Sequence, residues 1–251
     1  MERWGKNGIL IKSEGMDIKH TEIILNALKL TNLSLNKDDH SILKDVSLNL
    51  SYGELYIILG KNGAGKSSLF KCIAGIESDY LGDIDKLMSD ESSQGNNKCI
   101  YIPDKFTIPS YLSVSKYLNS MQALLSKFDS YDREKYKFLI SQFNDIDIGK
   151  KKFGELSKGM RKIAFISLML ANNPKLVILD EPFEGLDINN KEILLKLLEE
   201  EAKSGKLILL STHELQMINN RSNTVIGIRN GSVTGIVRKR DLNLADVQEL
   251  I

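Results

Sequence analysis

Apolar and polar residues alternate from Ile24 to Leu35 and from Val46 to Leu50. That two-residue repeat belongs to strands with one buried face. Val46, Leu48 and Leu50 then share a side, and Tyr52-Gly53 marks a turn. Tyr56 to Leu59 is instead an unbroken apolar run, suited to a strand covered on both faces. A glycine-rich stretch follows, then helical spacing from about Lys66 to Ala74, with Gly75 where a helix C-cap is expected.

Lys98 to Ile102 reads as a further strand. Residues 113–143 carry helical apolar spacing at Val114, Tyr117, Leu118, Met121, Leu124 and Leu125. Lys158 to Leu170 is a further helix, closed by Asn172-Asn173-Pro174. Strand (176–180), helix (190–203) and strand (206–211) then alternate, the rhythm of βαβ units with a parallel sheet. Asn230-Gly231 between apolar runs predicts a hairpin. Residues 1–22 are expected to be a flexible extension, since chain ends are commonly mobile. Residues 23–251 are expected to form one α/β domain, with a helical subdomain inserted at about 78–160.

Composition narrows the class. The 251 residues hold 34 Lys and Arg against 33 Asp and Glu, a net charge of +1. That balance disfavours nucleic acid as a partner, and the clusters Lys150-Lys151-Lys152 and Arg238-Lys239-Arg240 read as solvated surface. No apolar run approaches the roughly 20 residues that cross a bilayer. The first residues lack the apolar segment of a secretory signal. Cys72 and Cys99 are the only cysteines, too few for a disulfide framework. A cytoplasmic protein is the expectation.

Two segments carry chemistry. Gly60-Lys61-Asn62-Gly63-Ala64-Gly65-Lys66-Ser67 fits G-x-x-x-x-G-K-[ST], between a strand and a helix as the motif requires. Successive backbone N–H groups, with Ser68 closing the stretch, make an anion nest at the positive end of the following helix. Lys66 supplies a point charge for phosphate oxygens, and the Ser67 hydroxyl is a hard ligand for Mg²⁺. The second segment, Leu176 to Glu181, is an apolar strand ending in two carboxylates. Asp180 emerges at the C-terminal sheet edge, where α/β proteins bind ligands, and is placed to hold Mg²⁺. Glu181 points the other way along the pleat and can accept a proton from an attacking water.

Together with Leu156-Ser157-Lys158-Gly159-Met160, Gly185-Leu186-Asp187 and His213, these segments occur in one order over roughly residues 25–240. In that order they resemble the nucleotide-binding subunit of an ATP-binding cassette (ABC) transporter. The resemblance implies a P-loop NTPase core with a mixed or parallel sheet, an N-terminal antiparallel β subdomain and an inserted α-helical subdomain. It implies ATP and Mg²⁺ as ligands and ATP hydrolysis as the reaction. Glu181 would activate the water, His213 would act as the switch histidine, and Asp187 would lie in the D-loop. Ser157 and Gly159 would cap the γ-phosphate held on the phosphate loop of a second subunit, an identical chain or a close paralogue. A separate transmembrane permease would be driven from the inner face of the cell membrane. The LSKGM-type loop is similar to those of exporters of drugs, peptides or other small molecules.

The chain departs from the family pattern in places. Lys158 stands for the first glycine of the usual LSGGQ loop and Met160 for its glutamine. Asp104 stands where the Q-loop glutamine is expected and is a candidate Mg²⁺ or water ligand. His40 is the candidate for stacking on adenine. Two other readings compete: a soluble ATP-driven switch acting on nucleic acid or ribosomes, and a weakly hydrolysing regulatory cassette, suggested by Asp104.

Overall fold

A computed structural model describes residues 2–4, 9–12, 24–86, 99–125, 132–143, 148–214, 224–238 and 244–250. Its centre is a sheet of six strands. These are β5 (Leu55–Leu59), β7 (Cys99–Ile102), β8 (Leu176–Leu179), β9 (Leu207–Thr212), β10 (Thr224–Arg229) and β11 (Ser232–Val237). Their order is β11-β10-β5-β9-β8-β7. Every pair is parallel except the β10–β11 hairpin, which turns at Asn230-Gly231 as expected.

The unbroken apolar strands are explained by what lies on either side. Leu55, Ile57 and Leu59 of β5 face one core, with Val177 and Leu179 of β8 and Ile208 and Leu210 of β9. That core is closed by α4 (Lys158–Leu170) and α5 (Ile188–Lys203). Tyr56 and Ile58 face the other core, with Ile178, Leu209 and Ile226. It is closed by α1 (Lys66–Ala74) and by a second, antiparallel sheet. A strand covered on both faces has no solvent side for polar residues, so alternation disappears from its sequence.

The antiparallel sheet is built on β3 (Ile24–Lys37) and β4 (His40–Ser51), with β6 (Leu81–Lys86) on the far edge of β3. Here alternation survives: Val46, Leu48 and Leu50 are buried while Ser47 and Asn49 are exposed. Within the expected extension 1–22, β1 (Glu2–Trp4) and β2 (Ile9–Lys12) are strands that prolong this sheet through β3. The rest of that extension lies outside the described residues, as do Lys239 and Arg240.

The insertion is narrower than the expected 78–160. β6 belongs to the antiparallel sheet and β7 to the central one, so among the described residues its helices begin after β7. They are α2 (Val114–Leu125) and α3 (Arg133–Ser141), followed by a single 3-10 turn at Phe153–Glu155. One more helix, α6 (Leu244–Glu249), follows β11.

Candidate functional site

The phosphate loop leaves the C-terminal end of β5 and enters α1. Gly65 sits at φ 107°, a left-handed conformation that a side chain strains, and it caps α1. A Cβ on Gly60 would stand 2.3 Å from the Ile228 carbonyl oxygen, so the loop lies flat against β10. Gly231 N–H donates to Ala64 O at 3.0 Å and fixes it from the β10–β11 turn. A cleft of about 280 Å³ flanks the loop, lined by Lys61, Asn62, Gly63 and Ala64 on one side and Arg229 and Asn230 on the other.

Lys66 is 4% exposed and curls back over its own loop. Its Nζ donates to Gly60 O at 2.7 Å and to Lys61 O at 3.2 Å. It also stands 3.3 Å from Glu181 Oε1, as an ion pair without hydrogen-bond geometry. Ser67 is exposed beside it and Ser68 half-buried.

Asp180 follows β8 and is 4% exposed. Its Oδ1 accepts from Ser211 Oγ at 2.5 Å, and its Oδ2 lies 3.4 Å from the Tyr101 hydroxyl. Burial and the neighbouring Asp180 charge push the Tyr101 phenol well above its ordinary value, so it stays a neutral donor. Asp180 and Ser67 offer the hard oxygens that Mg²⁺ prefers, and one Asp180 oxygen carries only a long hydrogen bond. The donor set therefore fits that ion.

Glu181 breaks the strand. Its φ of 46° is left-handed, a conformation that costs a non-glycine residue about 1–3 kcal/mol. Side chains hold both of its backbone polar groups. Its N–H donates to Ser211 Oγ at 2.9 Å, and its carbonyl accepts from Lys162 Nζ at 2.8 Å. Its carboxylate bridges Lys66 and His213, with Oε2 at 3.1 Å from His213 Nδ1. His213 is half-exposed at the end of β9. Three loops thus bring a cation, a carboxylate and an imidazole together at one sheet edge.

The other expected residues lie elsewhere. Ser157 caps α4, its Oγ accepting from Met160 N–H at 3.1 Å, which leaves its own O–H proton for another acceptor. Gly159 is pressed against the turn before α5: an added Cβ would sit 2.5 Å from Gly185 O. Asp187 caps α5, accepting from Asn190 N–H at 2.9 Å and from its side-chain amide at 2.6 Å. Those donors hold its carboxyl below the ordinary value. No hydrogen bond or ion pair among the described residues joins Ser157 or Gly159 to residues 60–68. His40 is exposed at the tip of the β3–β4 hairpin, opposite Lys37.

Asp104 takes part in a different cluster. Its Oδ1 stands 3.5 Å from Lys162 Nζ, and Glu184 lies close enough to share a hydrogen bond with it. Burial and that neighbour raise its carboxyl. Lys158 donates to Glu184 Oε1 at 2.8 Å, which with the Asp104 contact holds the Glu184 carboxyl down at about 2. No hydrogen bond or ion pair among the described residues joins Asp104 to Ser67 or Asp180, and its oxygens face lysine and a second acid.

Ser211, Lys162, Tyr101 and Glu184 belong to the site without having been anticipated. Ser211 had a signal, as the first polar residue after the apolar run of β9. Lys162 had another, as a charge set among the buried positions of α4.

A family profile described as ABC transporter matches residues 43–184. An uncharacterised ABC transporter ATP-binding protein of Methanocaldococcus jannaschii is 30% identical over 222 residues, covering 86% of this chain and 79% of its own. The zinc import ATP-binding protein ZnuC of Wolbachia sp. subsp. Brugia malayi (strain TRS) is 32% identical over 207 residues, covering 81% and 80%. Among solved structures, the dimeric post-hydrolysis state of an ATP-binding cassette bound to ADP and Pi superposes with a TM-score of 0.71 at 21% identity, covering 86% of this chain and all of that one. The phosphate loop, the Asp180-Glu181 strand end and these matches agree, and the chain belongs to the ABC transporter family as an ATP-binding subunit with the ATPase fold.

Proposed function

We propose that two such subunits, identical or paralogous, hydrolyse ATP between them and so drive a separate membrane-spanning permease. The observation that carries this is the Glu181 carboxylate, held between Lys66 at 3.3 Å and His213 at 3.1 Å. In this reading the triphosphate settles on the N–H groups of residues 60–68. Lys66 turns from the loop carbonyls and Glu181 to the β- and γ-oxygens. Glu181, released from that cation, accepts the proton of the attacking water. His213 holds Glu181 on its other oxygen and donates to the γ-phosphate. Ser67 and Asp180 would hold Mg²⁺, which neutralises phosphate charge when bound.

The γ-phosphate is covered by the Ser157 end of α4 from the other subunit. Supporting this, Ser157 keeps a spare proton at the positive end of α4 and makes no hydrogen bond to the chain's own phosphate loop among the described residues. The solved cassette with the same fold is itself dimeric. Loss of phosphate removes the contacts that join the halves, so the pair opens.

In this reading the permease is a separate chain; no helix among the described residues is long and apolar enough to cross a membrane. Association with the inner membrane face follows from that partnership. Export, suggested by the LSKGM-type loop, finds no support in ZnuC, which is named for zinc import. The direction of transport is therefore left to the permease. The test is co-purification of the tagged chain from its own cells in the presence of a slowly hydrolysed ATP analogue. A polytopic membrane protein is the expected partner. Recovery of RNA or ribosomes instead would replace this reading with the soluble switch.

A further inference from the structure

Glu181 is the only residue of the β8 exit whose N–H and carbonyl are both held by side chains in the contacts described above. Ser211 takes the N–H from β9, and Lys162 takes the carbonyl from α4. The left-handed φ of 46° is what turns that carbonyl out of the sheet and towards α4. Lys162 is 3% exposed, so its ammonium has no water to fall back on if the carbonyl moves. We propose that Lys162 is a positioning residue for the general base: it clamps the Glu181 backbone in the conformation that aims the carboxylate at Lys66 and His213.

This inference rests on the reading of Glu181 as the base and adds a residue that acts through it. The charges around the clamp fit the task. Lys162 faces Asp104 after β7, Glu184 after β8 and Lys158 one turn earlier on α4. Lys158 is already taken by Glu184 at 2.8 Å. Asp104 is left as the counter-charge of Lys162, 3.5 Å from Nζ, and restrains the ammonium from behind. The loop that begins at Asp104 therefore touches the base through one side chain. Lys162 itself lies outside the phosphate loop and makes no described contact with residues 60–68, so ATP binding should be independent of it.

The experiment uses the full chain and compares wild type with Lys162→Met, Lys162→Gln, Lys162→Arg and Glu181→Gln. It measures steady-state kcat and KM for ATP, with equilibrium binding of a fluorescent ATP analogue. Misplacing a reacting group by an ångström costs up to about 100-fold in rate. Lys162→Met should therefore lose about 10- to 100-fold in kcat while KM and analogue binding stay within about twofold. Lys162→Arg, which keeps a buried cation donor, should recover most of that loss. Should the Met variant not fold, Lys162→Gln decides by the same split. Wild-type kcat in the Met or Gln variant overturns the positioning role, as does an equal loss of binding or an Arg variant as slow as Met. A wild-type chain without ATPase activity, or a Glu181→Gln variant at full rate, would instead defeat the reading of Glu181 itself.

Discussion

Lys66 and Glu181, 115 residues apart in sequence, face each other across 3.3 Å at the edge of the central sheet. The cation that should meet the phosphates and the carboxylate that should activate water neutralise one another in this state. A triphosphate must draw Lys66 away, and in doing so it frees Glu181. Binding and activation of the base are thereby coupled through one ion pair. Glu181→Gln removes the competitor for Lys66 and the proton acceptor together. It should bind ATP at least as tightly as wild type while kcat falls about 10²- to 10⁴-fold. Steady-state ATPase and nucleotide-binding assays on the same preparation check both halves.

Lys66→Ala should behave differently. Charged hydrogen bonds contribute about 1.5–3 kcal/mol, so ATP affinity should fall about 10- to 100-fold. The two loop carbonyls that accept from Nζ also lose their donor. Titration with a fluorescent ATP analogue measures the change. A variant that binds normally but turns over slowly would assign Lys66 to chemistry alone.

Gly159 is held by close approach rather than by turn geometry. Its missing Cβ leaves room for Gly185 O, a backbone atom that cannot rotate away. Gly159→Ala should destabilise the chain by about 1–3 kcal/mol through overpacking. For a domain of this size each kcal/mol lowers Tm by about 2–4 °C. Thermal melting followed by circular dichroism reads the shift. The same variant should also slow ATP turnover, because the α4 start and the D-loop are pushed apart.

Lys206 gives the fold a pH dependence. It is 4% exposed at the start of β9 and donates to Glu201, which also accepts from Lys135 of α3 at 2.8 Å. Burial, helped by the Lys135 charge and opposed by Glu201, brings the Lys206 ammonium down to about 8. Between pH 8 and its ordinary value of 10.5 the unfolded chain keeps a proton that the folded chain has released. Stability from this group therefore rises with pH across that window and is flat below it. Lys206→Met should remove the rise. Urea unfolding of both proteins at pH 7, 8, 9 and 10 provides the measurement, with a gap that shifts in favour of wild type as pH increases.

Different parts of the chain were legible to different degrees. The phosphate loop and the Asp180-Glu181 strand end depend on local spacing, and the structure places them where the sequence suggests. β7 was legible as the strand at 98–102, whereas β6 is short and pairs with β3 about fifty residues earlier, a partnership that spacing along the chain does not show. Asp104 was legible as the residue at the Q-loop position, but not that Lys162 and Glu184 reach it from α4 and the turn after β8. Ser211 and Lys162 gave only faint signals, one polar residue after an apolar run and one charge among buried helix positions.

The order of apolar runs, glycines and acids along this chain marked the phosphate-loop motif and the strands that are buried, because those features come from near neighbours in sequence. Folding alone decided that Lys66, His213, Ser211 and Lys162 converge on Glu181, the first two on its carboxylate and the others on its backbone. Coulomb attraction and hydrogen bonding act over a few ångströms of space, and only the packed sheet brings side chains from two strand ends and two helices within that reach.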